Sequence, residues 1–139
     1  MELKEAIKMC EDNGMMVIEI DKAINQDRLS FNVVLKIAAR INKVDANDII
    51  KPIRGNDRIV NSRWLAIHYI YSTTPYTHSD IAKKFNKDRA TIIHTLKGNS
   101  SPFLNGWRQK NKELFLMKIN ELHRSLGLSE FTYKEYNKL

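Results

Sequence analysis

Asp88, Arg89, Ala90 and Thr91 stand at the head of a short segment whose apolar residues, Ile92, Ile93 and Leu96, recur at helical spacing. A helix N-terminus offers unpaired N–H groups and partial positive charge, both suited to phosphates. Outward side chains of a first turn can also reach base edges in the major groove of DNA. Arg89 is fitted to grip guanine O6 and N7 with two bonds, while Ala90 and Thr91 present small apolar surfaces to a thymine methyl. Asp88 either accepts from a cytosine amino group or caps the helix, and the two readings are compatible. Lys83, Lys84, Lys87 and Lys97 surround this turn, and Arg54, Arg58 and Arg63 lie on the loop and helix before it. These cations are expected to neutralise phosphates.

The charge is not spread evenly. The 139 residues carry a formal net charge of +7, and residues 51 to 97 alone account for 9 basic against 3 acidic side chains. Residues 1 to 50 hold 7 basic and 9 acidic, and residues 98 to 139 hold 7 and 4. A basic middle third favours a polyanionic partner.

Several elements must hold the Asp88 turn in place. Thr77-His-Ser-Asp80 has the capping-box form and opens a brief helix with Ile81, Ala82 and Phe85 facing inward. Asn86 sits where the chain must turn, Asp88 caps the next helix, and Gly98 ends it. Two such helices joined by a short turn form a helix-turn-helix unit. Upstream, Val33, Val34, Ile37, Ala38 and Ile41 predict a helix over residues 31 to 42. Asp45 and Asp48 bracket a further helical turn ending at Ile49 and Ile50, stopped by Pro52. From Asp57 as N-cap, a longer helix runs to about Ser72 on a stripe of Val60, Trp64, Ile67 and Tyr71 widened by Ile59, Leu65 and Ile70. Phe115, Ile119, Leu122 and Leu126 predict a last helix stopped by Gly127, with Phe103, Leu104 and Trp107 covering the bundle's flank. Leu3, Ala6, Ile7 and Cys10 suggest a helix at the start, and residues 13 to 30 read as a linker or docking arm. Thr132 to Glu135 could form one marginal turn or stay unstructured.

Other chemistry finds little support. His68, His78, His94 and His123 show no zinc-ligand spacing, and the single Cys10 excludes an internal disulfide. No phosphate loop of the GxxxxGK[ST] kind occurs, so no nucleotide is expected. Glu19 and Asp21 are a weak pair for a magnesium-dependent nuclease. No apolar run is long enough to cross a bilayer and no secretory signal opens the chain, which reads as cytoplasmic and nucleoid-associated.

The succession KIAARINKVDANDII, IRGNDR, VNSRWLAIHYIY and HSDIAKKFNKDRATIIHTL resembles the C-terminal DNA-binding domain of the bacterial replication initiator DnaA, over about residues 31 to 97. The resemblance implies an all-α helical bundle of the Trp-repressor-like kind, containing the helix-turn-helix at residues 31 to 98, with helical extensions at 1 to 30 and 99 to 139. It implies a double-stranded DNA partner, with the second helix of the motif in the major groove and the basic loop at the adjacent minor groove. The recognition turn of that family reads Gly-Arg-Asp-His-Ser/Thr-Thr-Val; here Asn86-Lys87-Asp88-Arg89-Ala90-Thr91-Ile92 aligns with it. Asp88, Thr91 and the later His94 match, and Arg63 falls where the family has a phosphate-contacting arginine. Arg89 replaces a base-contacting histidine and Ala90 a hydroxyl residue, which implies a different preferred box. The family's minor-groove arginine aligns with Asn61, leaving Arg58 or Arg54 as substitutes.

The expected site therefore has Asp88, Arg89, Ala90 and Thr91 reading bases. Arg54, Arg58, Asn61, Arg63, Thr77, Lys83, Lys84, Lys87, His94 and Lys97 would contact the backbone. No metal or cofactor is expected. The initiator's ATPase domain has no counterpart in the sequence, so the expected role is non-enzymatic, in replication control or transcription. The rival reading is a protein-interaction module, built on the N- and C-terminal extensions, with only nonspecific nucleic-acid contact.

Overall fold

The computed structural model describes residues 24–25, 28–97 and 106–134. Among them the fold is helical. Helix α1 (Phe31–Asn42), α2 (Ala46–Ile49), α3 (Asp57–Thr73), α4 (His78–Phe85), α5 (Arg89–Lys97) and α6 (Gly106–Ser125) follow a two-residue antiparallel pairing of β1 (Ile24–Asn25) with β2 (Arg28–Leu29). The expected helix at the N-terminus, the Gly98 stop, Phe103 and Leu104, and the acidic pair Glu19 and Asp21 lie outside the described residues.

Helix α3 is the axis of the bundle. It packs on α1, α2, α4, α5 and α6, which is why every residue from Asn61 to Ile70 except Trp64 is buried. Of the expected stripe, Leu65, Ile67 and Ile70 are buried, with Ala66 and Tyr69 completing the core face, whereas Ile59, Val60, Trp64 and Tyr71 are only half-buried. A helix enclosed on several sides has a broad buried face, and apolar periodicity alone marks its edges poorly. The N-cap is Asn56, whose side chain accepts from Ile59 N–H at 3.0 Å, and not Asp57.

Apolar packing and buried polar bonds close the bundle together. Phe85 meets Phe31 edge to face at 5.2 Å between centroids, and Phe115, Ile119 and Leu122 of α6 enter the same core. Along the seam between α1, α3 and α6, Asn42 Nδ2 donates to Asn61 Oδ1 (3.0 Å) and Ser62 Oγ (2.8 Å). Asn111 Nδ2 donates to Asn42 Oδ1 (2.8 Å) and Asn61 Oδ1 (3.1 Å). Such amide groups cost free energy when buried alone and fix the register of three helices when mutually bonded.

Two segments expected to be peripheral join the core. Leu29 is fully buried, and its N–H donates to Tyr69 Oη at 2.9 Å. Tyr69 Oη in turn meets His123 Nε2 at 2.7 Å, and His123 Nδ1 meets Ser129 O at 2.8 Å. With the hydroxyl donating to Nε2, His123 is neutral and protonated on Nδ1, and burial holds its pKa below the ordinary value. At the other end, Thr132 to Lys134 of the expected terminal turn are not helical, and Glu135 lies outside the described residues. Asn120 instead pairs with Phe131 as a strand would, Nδ2 to Phe131 O at 2.9 Å and Phe131 N–H to Oδ1 at 2.7 Å. Phe131 is buried, and Tyr133 lies against it at 5.1 Å. Trp107, expected on the covered flank, is exposed.

Candidate nucleic-acid interface

Helices α4 and α5 are joined by Asn86, Lys87 and Asp88. Thr77 caps α4 with a complete capping box, its hydroxyl accepting from Asp80 N–H (3.1 Å) while Asp80 accepts from Thr77 N–H (3.0 Å). Those bonds hold the Asp80 carboxyl below the usual carboxylate range. Asn86 takes the left-handed conformation, φ 54°, which ends α4 and turns the chain; asparagine tolerates this region better than most residues. Asp88 then caps α5, with its Oδ1 accepting from Thr91 N–H at 2.8 Å. Hydrogen bonds from the Thr91 side chain and N–H keep Asp88 ionised to lower pH than an ordinary carboxylate. Asp88 is thus a cap in the described fold.

Arg89, Ala90 and Thr91 are exposed at the head of α5, whose Ile92 and Leu96 enter the core. Among the described residues Arg89 makes no hydrogen bond or ion pair; its charge acts on His78, whose pKa is lowered first by burial and then by the Arg89 charge. The helix is held from beneath by His68, a fully buried residue of α3 whose Nε2 meets Thr95 O at 3.2 Å. That bond places the proton on Nε2 and leaves buried Nδ1 without a partner. Trp64 stacks on the same ring at 4.0 Å. Burial lowers the His68 pKa to about 4, so the ring is neutral at physiological pH.

The basic loop between α2 and α3 is clamped through its own carbonyls. Arg63 donates from Nε to Ile49 O (2.7 Å), from Nη1 to Arg54 O (2.9 Å) and from Nη2 to Ile53 O (3.3 Å) and Asp48 O (3.4 Å). Asn86 Nδ2 reaches Ile50 O at 2.7 Å, and Lys87 Nζ reaches Pro52 O at 2.7 Å and Ile53 O at 2.9 Å. Burial, and then the neighbouring Arg54 charge, lowers the Arg63 pKa; burial, and then Arg63, lowers that of Lys87. Gly55 completes the loop at φ +79°, where an added Cβ would stand 3.0 Å from Ile59.

This geometry corrects two expected backbone contacts. Arg63 is 6% exposed and its guanidinium is engaged by carbonyls, so it shapes the loop and does not present a free fork to phosphate. Asn61 is buried in the amide network of the α1–α3–α6 seam. Lys87 is half-buried, with its ammonium bonded to the loop. Lys84 lies over the rings of Phe31 and Tyr76 at 5.1 and 5.3 Å. Arg54 is exposed and bridges to Asp57 at 3.2 Å, and Arg58, Lys83, His94 and Lys97 are exposed. Sequence reasoning missed the clamp, although a signal was present: Arg63 falls midway between Ile59 and Ile67 on the i, i+4, i+8 line of an inward face.

Loop and α5 stand on opposite sides of a cleft of about 620 Å³. Pro52 and Arg54 line one wall, Asp88, Thr91, His94 and Thr95 the other, and Val60, Arg63 and Trp64 of α3 also contribute. Arg63 carries its charge here with only carbonyls as partners, so the positive field over the cleft is not cancelled at its source. Among the described residues no cluster of three or more His, Cys, Asp or Glu could hold a metal ion, and no helix is long and apolar enough to cross a membrane. No protein-family model, no curated protein and no solved structure matches the chain.

Proposed function

We propose that this chain is a non-enzymatic, sequence-specific double-stranded DNA-binding protein, with α4 and α5 acting as a helix-turn-helix of the replication-initiator type and a role in replication control or transcription. The observation that carries the reading is the exposed amino end of α5: Arg89, Ala90 and Thr91 face outward, and no carboxylate among the described residues engages the guanidinium. On this reading α5 enters the major groove, Arg89 takes guanine O6 and N7, and the methyls of Ala90 and Thr91 contact thymine. A strand of phosphates lies across the cleft, with Arg54, Arg58, Lys83, His94 and Lys97 toward the backbone, helped by the first-turn N–H groups of α5. The capping bond from Thr91 N–H to Asp88 orients the reading turn, so Asp88 acts chiefly by positioning Arg89, Ala90 and Thr91.

Selection of duplexes from a random pool tests this directly. Recovery of a consensus, with affinity falling by about 0.9 logarithmic unit per neutralised phosphate for each tenfold rise in salt, supports it. Failure to enrich any sequence opposes it. A second reading, a protein-interaction module with nonspecific nucleic-acid contact, is favoured by the exposed Trp107 and Met117 of α6. A stable protein complex together with no preference among duplexes favours that alternative; duplex selection that yields a consensus argues against it.

A further inference from the structure

We propose that Ile53 is an apolar wedge that enters the minor groove next to the site of α5, partly unstacks one base step and bends the duplex. The inference rests on the DNA-binding reading above and adds to it a residue and a deformation.

Ile53 is 67% exposed, the most exposed large hydrophobic side chain among the described residues. A singly exposed isoleucine needs no function. What distinguishes this one is its mounting. The carbonyl of Ile53 receives bonds from both Lys87 Nζ (2.9 Å) and Arg63 Nη2 (3.3 Å), and those of Ile49, Ile50, Pro52 and Arg54 on either side are each bonded as well. The backbone is thereby fixed with its oxygens toward the protein, and the side chain at the tip projects into solvent. Pro52, with its fixed φ, immediately precedes it. A wedge has to resist being pushed back by the stack it opens, and a loop tied at successive carbonyls meets that need.

The flanking charges fit the same purpose. Lys51 and Arg54 are exposed on either side of the tip, each paired with a neighbouring carboxylate, Lys51 with Asp48 at 2.6 Å and Arg54 with Asp57 at 3.2 Å, from which a phosphate would draw them. Apolar side chains that insert between base steps draw the duplex toward the protein, where nearby cations meet the approaching phosphates. The donors that tie down the tip include Lys87, which directly precedes the Asp88 cap of α5. The position of the wedge relative to the bases read by Arg89 is therefore fixed by the fold. The consequence is indirect readout: a pyrimidine–purine step, the most easily unstacked, is preferred at a constant offset from the bases contacted by α5, although no side chain reads its hydrogen-bonding edge.

The test uses the full chain and a duplex recovered by selection. 2-Aminopurine is placed at each position in turn, and end-to-end energy transfer reports the bend. Wild type should raise the fluorescence at a single step and shorten the end-to-end distance. Ile53→Ala should abolish both signals and weaken binding about tenfold, while Ile53→Met keeps them. Arg89→Ala, at saturating protein, should still unstack the same step. Ile53→Ala binding and bending like wild type overturns the wedge while leaving the DNA-binding reading intact. A wild-type chain that enriches no duplex overturns both. Because Ile53 is exposed and outside the core cluster, equal thermal melting of the variants is expected and checks that folding is unchanged.

Discussion

Two polar regions of this molecule use side-chain hydrogen bonds to opposite ends. On the α1–α3–α6 seam, Asn42, Asn61 and Ser62 are buried and, with half-buried Asn111, bond to one another. On the loop–α5 face, Arg63, Asn86 and Lys87 bond to backbone carbonyls, and Pro52, Ile53 and Arg54 at the tip of the loop they hold keep their side chains outside. The seam fixes how helices pack; the clamp fixes what is displayed. A polar residue in a helical bundle therefore has to be judged by its acceptors before it is assigned to a ligand.

Breaking each region should separate stability from binding. Phe115→Ala removes a fully buried ring from α6, beside the seam. It should cost about 3–5 kcal/mol in urea unfolding, with the folded fraction keeping its preference among duplexes. Arg63→Ala should cost about 2–4 kcal/mol because the loop carbonyls lose a charged donor. It should also weaken DNA binding beyond the loss of folded protein. Arg63→Lys, which keeps the charge but cannot span four carbonyls, should restore little of either; full rescue by lysine would reduce Arg63 to a simple charge.

A pH titration sharpens the contrast because both regions hang from α3. The folded-state pKa of His68 is about 4, against 6.5 for the unfolded chain. Between those values the unfolded state binds a proton that the folded state refuses. Stability is then full above pH 6.5 and falls as pH drops, by about 1.4 kcal/mol per unit from this group. His123, also depressed by burial, adds in the same direction. Urea midpoints from pH 7.5 to 4.5 measure the slope, and His68→Gln should flatten it; an unchanged slope would assign the acid sensitivity elsewhere. At the small end, Lys83→Ala should leave stability within about 0.5 kcal/mol and reduce the salt dependence of DNA binding by about one ion.

Much of the scaffold was legible before any coordinates. The bounds of α1, the helical turn beginning at Asp45, the Thr77–Asp80 capping box, the turn at Asn86 and the Asp88 cap are local features. Each follows from a few neighbouring residues, and each appears in the fold. What was not legible depends on partners far along the chain. Arg63 bonds to carbonyls 9 to 15 residues away, and Asn61 to Asn111 across 50. Leu29 and Phe131 become core only because Tyr69 and Asn120 offer bonds to their backbones. For the site, exposure of Arg89 and Ala90 was foreseeable from a helix whose later residues are apolar. The fate of the basic cluster was not: sequence charge counts a clamped lysine and a free one alike.

The most direct measurement compares the affinity of wild type, Arg89→Ala and Lys83→Ala for a selected duplex and for random duplex at one salt concentration. If α5 reads bases, Arg89→Ala should lose about 1–3 kcal/mol on the selected duplex and little on the random one, while Lys83→Ala weakens both alike. Equal loss on both duplexes for Arg89→Ala, or no difference between the duplexes for wild type, would contradict a base-reading helix.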